Sequence, residues 1–254
     1  MKKSVWIVAG LLLPVLGWAA GGGAIYPNDD IDIDWDDKAS MQRGAALFVN
    51  YCMGCHSAEY MRYNRMGQDL GISDELLREN LIFTTNQYGE QTKVGEQMKI
   101  TMNKEYAETA FGTAPPDLTL IARSRGTHWL YNYLRGFYVD ETRPFGVNNS
   151  VFPNVGMPHV LLDLEGLKKA VTETHKDAEG NEKEVIVGFE KIGEGSMSEA
   201  EYDQAVKDLV SFLDYVGEPI KQKRKNIGVG VLIFLFIFLI LAIMLKKEYW
   251  KDVH

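Results

Sequence analysis

The chain has 254 residues and a formal net charge of −8, and its composition excludes several classes of protein. Hydrophobic residues make up 46% and charged residues 24%, which is the balance of a folded chain and not of a disordered or fibrous one. Two cysteines are too few for a disulfide-stapled small domain, and the acidic balance argues against nucleic acid as a partner.

The N-terminal segment has the pattern of a secretory signal peptide. Two lysines are followed by an apolar stretch from Val5 to Ala20 that ends in small residues. The alternative is a second membrane helix, but the stretch is short and is interrupted by glycine and proline. We therefore predict a signal peptide over residues 1–20, cleaved after Ala19 or Ala20.

An acidic, irregular arm over residues 21–38 is predicted to lead into the first helix of the folded domain. That helix should run from Ser40, acting as its N-cap, to Cys52, with apolar residues along one face. Gly44 lies on the same face, and the lack of a side chain there would let another helix cross closely.

Both cysteines lie in one motif, Cys52-Met53-Gly54-Cys55-His56, of the form C-x-x-C-H. Two thiols at this spacing match the two vinyl groups of a haem, and the adjacent histidine can bind its iron. The alternatives are a redox C-x-x-C pair and half of a zinc site, but no βαβ pattern surrounds the motif and no further cysteine is present. The motif predicts one covalently bound haem c.

The body of the chain, residues 39–220, is predicted to be mainly α-helical, a cytochrome c-type haem domain with long loops and a small β-hairpin. Helices are expected at Asp74–Asn80 and Thr127–Tyr138, with a loop-rich stretch from the first of them to about residue 110. The hairpin should pair Lys169–His175 with Glu184–Glu190.

Met157 is the leading candidate for the sixth ligand of the iron. It stands between Gly156, which frees the backbone, and Pro158, which keeps Met157 extended, as suits a loop that points a thioether inward. A methionine ligand raises the reduction potential and is typical of an electron carrier. His159 and His128 remain as alternative ligands.

A second long helix is predicted after Ser198. Ser198 and Glu201 have the spacing of a capping box, and apolar residues follow at helical spacing as far as Val216. Gly217 and Pro219 should end this helix. We expect this helix to be the one that crosses the first helix at Gly44.

The C-terminal region has a tract of 19 uncharged, mostly apolar residues from Ile227 to Leu245. As a helix it would be about 28 Å long, close to the ~30 Å hydrocarbon core of a bilayer. We predict a membrane anchor over residues 226–246 and a cytoplasmic tail over 247–254. Four basic residues before the tract and three after it slightly disfavour this orientation, but export of the body by the signal peptide should decide it.

The exported body is strongly acidic. Between residues 20 and 220 the chain has 18 basic and 33 acidic side chains, a net charge of −15. Such a charge favours encounter with a basic partner, although solubility is an equally good reason for it.

Four segments show that the sequence resembles the cytochrome c1 family, the haem subunits of ubiquinol–cytochrome c reductase complexes. They are RGAALFVNYCMGCHS at 43–57, MRYNRMGQDLG at 61–71, APPDLTLIARSRG at 114–126 and VGMPHVL at 155–161. The resemblance extends from about residue 35 to 250, including a single apolar helix after a terminal domain helix, and is closer to proteobacterial than to mitochondrial members.

The resemblance implies roles for individual residues. Cys52 and Cys55 would form the thioether bonds, His56 would be the proximal iron ligand, and Met157 matches the distal methionine of the family.

It also implies residues that surround the haem. The segment that contains Pro116 should pack beside the haem, and a following arginine should meet a haem propionate. Arg125 is our choice for that contact, with Arg123 as the second candidate, because a carboxylate needs a fixed, permanently charged donor.

The function implied by the resemblance is electron transport in a respiratory chain, with no enzyme activity of the chain by itself. The protein would accept electrons from a Rieske iron–sulfur protein, pass them to a soluble or tethered cytochrome c, and pack against cytochrome b in a complex that dimerises. It would lie in the bacterial inner membrane as a single-pass protein, with its haem domain in the periplasm. The alternatives are a free-standing anchored cytochrome that serves an oxidase, and a haem enzyme or gas sensor with an open iron.

Overall fold

The computed structural model describes residues 26–86, 88–176 and 181–252, so the predicted signal peptide lies outside the described residues. The described helices are α1 (Lys38–Leu47), α2 (Tyr63–Leu70), α3 (Asp74–Asn80), α4 (Lys104–Phe111), α5 (Ile121–Arg125), α6 (Thr127–Leu134), α7 (Leu162–Glu165), α8 (Glu199–Gly217) and α9 (Lys221–Tyr249). The strands are β1 (Ala58–Arg62), β2 (Gln97–Met98), β3 (Phe137–Val139), β4 (Val147–Asn149), β5 (Lys168–Lys176) and β6 (Glu182–Lys191). The strands pair as three two-stranded antiparallel sheets, β1 with β2, β3 with β4 and β5 with β6.

The main hydrophobic core is centred on the crossing of α1 and α8, as predicted from Gly44. A Cβ atom added to Gly44 would lie 2.0 Å from the backbone oxygen of Asp208, so the two helix backbones are in direct contact. Phe48 and Phe212 are fully buried beside the crossing, with ring centroids 5.6 Å apart. The capping box at Ser198 is also confirmed.

The predicted N-cap of α1 is wrong. Asp37 caps the helix, and its side chain accepts a hydrogen bond of 2.9 Å from the backbone nitrogen of Ser40. Ser40 is buried, and its hydroxyl instead donates to the buried carboxylate of Asp208, 2.7 Å away. Arg43 donates to the same carboxylate at 2.5 and 3.0 Å. Ser40 therefore takes part in a long-range contact with α8 and does not cap α1.

The helix predicted at Thr127–Tyr138 ends at Leu134, and the chain then turns into β3. There is no room for a side chain at Gly136, because an added Cβ would be 2.9 Å from the hydroxyl of Ser150 and 3.0 Å from the backbone oxygen of Asn132. β3 pairs with β4, so the last residues of the predicted helix form a β-strand instead.

Other regions agree with the sequence more closely. α3 has the predicted bounds, and the hairpin of β5 and β6 is confirmed and is longer than expected at both ends. The prediction of a loop-rich stretch before residue 110 missed β2 and most of α4.

α9 is the described helix that is long and apolar enough to cross a membrane. It has 29 residues, its most apolar window has a mean hydropathy of 3.2, and none of that window is buried against the rest of the chain. The apolar helix predicted here is confirmed, and the four basic residues before the tract and the first two after it, Lys246 and Lys247, are helical as well.

Candidate haem-binding site

The C-x-x-C-H motif is formed by the turn that ends the first helical segment. After α1 the chain continues through a single π-helical stretch, Phe48–Cys52. The backbone nitrogens of Cys55 and His56 both donate to the carbonyl of Cys52, at 3.0 and 2.9 Å. This tight turn brings two free thiols and one imidazole together within five residues.

The environment of Cys52 differs from that of a redox thiol. Burial, with a smaller contribution from the neighbouring Cys55, raises the pKa of the Cys52 thiol to about 12. Redox-active C-x-x-C motifs have the opposite property, because a lowered pKa supplies their reactive thiolate. The redox alternative is therefore disfavoured. Among the described residues no group of three or more His, Cys, Asp or Glu side chains is placed to hold a metal ion.

His56 is buried and is held in one orientation by the chain. Its Nδ1 lies 2.7 Å from the backbone oxygen of Pro116, and a carbonyl can only accept, so Nδ1 carries the hydrogen. Nε2 is then the nitrogen with a free lone pair, which is the form that binds a metal ion. Burial lowers the pKa of His56 and favours the neutral imidazole.

The segment around Pro116 is fixed beside the motif by several hydrogen bonds. The backbone nitrogen of Leu118 donates to the carbonyl of Ser57 at 2.8 Å. The carboxylate of Asp117 accepts from the backbone nitrogens of Glu59 and Thr119, each at 2.8 Å. The family resemblance implies that this segment packs beside the haem, and in the structure the Pro116 carbonyl orients the histidine.

Met157 lies in a partly buried loop beside an aromatic cluster. Its sulfur accepts a hydrogen bond from the hydroxyl of Tyr133, with an oxygen–sulfur distance of 3.3 Å. The Tyr133 ring stacks on Trp129, with centroids 4.8 Å apart, and meets the edge of Phe137 at 5.4 Å. Burial raises the pKa of Tyr133, so its hydroxyl keeps its hydrogen at physiological pH.

Sequence reasoning missed Tyr133, although a signal for it exists. Trp129, Tyr133 and Phe137 are four residues apart, which places the first two on one face of a helix. That spacing is an ordinary core pattern, so only the contact with Met157 distinguishes this tyrosine.

The two histidines that were alternative ligands have other partners. The His159 side chain is 5% exposed and its ring stacks on Phe137 at 4.9 Å. Its Nε2 is 2.8 Å from a carboxylate oxygen of Glu165, in a charge contact without the angles of a hydrogen bond. His128 is on the surface, with its Nε2 3.7 Å from Asp30. These contacts favour Met157 over either histidine as the ligand.

The two candidate arginines point to different neighbours. The guanidinium carbon of Arg125 is 5.1 Å from the Trp129 ring centroid and 5.9 Å from that of Phe152. Arg125 thus joins the aromatic cluster that contacts Met157. Arg123 instead pairs with Glu218 beyond the end of α8, at 3.5 Å.

The chemistry of these donors fits a haem c. Two free thiols at vinyl spacing, an imidazole with Nε2 available and a thioether are the groups that such a cofactor requires. An arginine on the aromatic cluster adds a permanent positive charge of the kind that a propionate needs.

Comparisons with known proteins find a family model, related proteins and a solved structure that match this chain. The model of the Cytochrome C1 family matches residues 30–186 and 188–253. The chain is 48% identical to cytochrome c1 of Allochromatium vinosum over the full length of both proteins. It is 43% identical to a Nitrosomonas europaea protein named ammonia monooxygenase gamma subunit, over 98% of this chain and 97% of that protein. A solved structure titled "Hyperthermophilic respiratory Complex III" matches with a TM-score of 0.41 at 16% identity, covering 88% of this chain and 80% of that one.

Proposed function

The chain belongs to the cytochrome c1 family, and from this membership we propose that it carries single electrons from a Rieske iron–sulfur protein to a cytochrome c. The observation that carries the proposal is the orientation of His56, whose Nε2 is left available by the bond from Nδ1 to Pro116. A histidine that served only for packing would not require a fixed ring orientation next to two free thiols.

Each residue of the site has a separate role in this proposal. When bound, a haem c supplies a one-electron iron couple. Cys52 and Cys55 would attach the group covalently, and His56 and Met157 would bind its iron. No substrate is bonded in outer-sphere transfer, so the chain needs no nucleophile or general acid. Its residues hold the group, limit the access of water and set the potential.

Arg125 is the residue that we propose for the propionate contact. Its contacts with Trp129 and Phe152 hold the guanidinium on the aromatic cluster next to Met157. Arg123 is less suited, because its charge is already paired with Glu218. A guanidinium stays charged at any physiological pH and can donate two parallel hydrogen bonds to a carboxylate.

We further propose that α9 is a single membrane anchor, with the haem domain in the periplasm and the C-terminus in the cytoplasm. At ~1.5 Å per residue its 29 residues give a helix of about 44 Å, longer than a hydrocarbon core of ~30 Å. The basic residues at both ends would therefore lie at the lipid headgroups. The exposed apolar surface of α9 would pack against cytochrome b in the dimeric complex.

The acidic charge of the exported body supports a basic cytochrome c as the electron acceptor. The carboxylate side chains of the N-terminal arm are exposed, with Asp30 fully accessible and Asp29 58% exposed. Complementary charge would speed encounter and would make the rate of electron transfer fall as salt increases.

Purification of the full chain from membranes in mild detergent, followed by reduced-minus-oxidised spectra, tests the proposed assembly. If b-type haem accompanies c-type haem in a fixed ratio, the chain is the c1 subunit of a quinol-oxidising complex. If c-type haem is found without b-type haem, the free-standing anchored cytochrome is the better description. Co-purification of monooxygenase subunits would instead favour the association that the name of the Nitrosomonas relative suggests.

A further inference from the structure

Tyr133 contacts the sulfur of Met157 through its hydroxyl hydrogen. The oxygen–sulfur distance is 3.3 Å, and a phenol next to a thioether acts as the donor because the sulfur has lone pairs and no hydrogen. This bond involves neither the C-x-x-C-H motif nor the two arginines that are candidates for the propionate contact.

The tyrosine ring is held firmly in the position that makes the bond. It stacks on Trp129 with an interplanar angle of 10° and packs edge-on against Phe137. The backbone oxygen of Tyr133 accepts a 2.8 Å hydrogen bond from the side chain of Asn149, which ties the end of α6 to β4. Methionine has three rotatable side-chain bonds, so a fixed donor restricts where its sulfur can lie.

We propose that Tyr133 is a positioning residue for Met157, and that its hydroxyl raises the reduction potential of the bound haem by donating a hydrogen bond to the ligand sulfur. The inference rests on the proposed function, because it requires Met157 to be the axial ligand.

The physical basis is the electron density on the sulfur. A thioether has two lone pairs, so one can bind iron while the other accepts from Tyr133. The hydrogen bond draws density away from the sulfur and makes it a weaker donor to oxidised iron, which favours the reduced state. Hydrogen bonds around a ligand are an established means by which a protein tunes a metal centre.

The experiment uses the full-length, haem-loaded protein with Tyr133→Phe, which removes one oxygen atom and keeps the ring. Tyr131→Phe is the matched control, since Tyr131 is also on α6 but its ring contacts the guanidinium of Arg135 at 4.6 Å. Two properties are measured, namely the midpoint potential and the weak red absorption band of a methionine–iron(III) bond. Incorporation of 3-fluorotyrosine at position 133 provides a second test, because its hydroxyl is a stronger donor.

We expect Tyr133→Phe to lower the equilibrium constant for reduction by about threefold to tenfold. For one electron this equals a shift of about 28 to 59 mV. Tyr131→Phe should match the parent protein, and fluorotyrosine should shift the potential upward. Loss of the red band in Tyr133→Phe alone would also support the inference, since it would show that the hydroxyl holds Met157 at the iron.

Two results would overturn the inference, and they can be told apart. If the parent has the red band and Tyr133→Phe changes neither the band nor the potential, or Tyr131→Phe changes them equally, the role of Tyr133 is wrong while the proposed function stands. If the parent lacks the band and Met157→Ala leaves the potential unchanged, the ligand assignment fails and this inference fails with it.

Discussion

The His56 side of the proposed haem site belongs to the main core of the domain, whereas the Met157 side belongs to a small separate cluster. Cys52 and Met53 are buried with the residues of the α1–α8 crossing. Met157 packs instead against a cluster formed by Phe137, Val147 and Val155. Tyr133 packs against both groups.

This difference separates two tasks of the domain. The His56 side shares its packing with the contact that holds α1 and α8 together, so a change there should disturb both folding and haem attachment. The Met157 side rests on short strands and a loop, so a change there should alter the properties of the haem while the domain stays folded. The following predictions test that separation.

Loss of either thiol should have the largest effect. Cys52→Ser or Cys55→Ser removes one of the two thioether bonds proposed for the haem, and the variant should retain much less haem on a denaturing gel. Met157→Ala should retain its haem on the same gel, because a thioether ligand is not a covalent attachment. Full retention in either serine variant would contradict the assignment.

Gly44→Ala should be the most damaging change in the core. The new Cβ would lie 2.0 Å from the backbone oxygen of Asp208, and a backbone cannot move aside as a flexible side chain can. We expect the free energy of unfolding to fall by about 3 kcal/mol. Denaturant unfolding of the full chain in detergent measures it, with Gly95→Ala as the control because an added Cβ there meets no atom within 4 Å. Equal stability of the two variants would show that the helices can separate without cost.

The two arginines should give the smallest and most selective effect. Arg125→Gln removes a positive charge next to the Met157 cluster. The loss of this charge should change the stabilities of the oxidised and the reduced haem by different amounts, and the midpoint potential should therefore shift. Arg123→Gln breaks a surface ion pair with Glu218 and should leave the potential as in the parent. A shift in Arg123→Gln without one in Arg125→Gln would exchange their roles.

Local sequence signals predicted the elements that depend on neighbouring residues. α3 begins after Ser73, whose hydroxyl accepts from the backbone nitrogen of Leu76, so the start of this helix is set by a contact within a few residues. α8 follows from the capping box at Ser198, and the turn of the C-x-x-C-H motif is set within five residues. Gly44 showed where the two helices cross because only a missing side chain permits such a close contact.

Contacts between distant parts of the chain could not be predicted in the same way. The carboxylate of Asp208, 168 residues from Ser40, accepts a hydrogen bond from the Ser40 hydroxyl, which the local pattern had assigned to a helix cap. The pairing of β3 with β4 shortened a helix whose own residues favour a further turn. The bond between Tyr133 and Met157 joins residues 24 apart, and nothing in the local sequence of Met157 indicates which side chain donates to its sulfur.

The most direct test of this account is carbon monoxide binding by the reduced, haem-loaded protein, compared between the parent and Met157→Ala and combined with their midpoint potentials. If Met157 completes the site, the reduced parent should not bind carbon monoxide, whereas Met157→Ala should keep its covalent haem, bind carbon monoxide and have a lower potential. Binding by the parent to the same extent as the variant, with an unchanged potential, would contradict the account and favour a haem protein with an open iron.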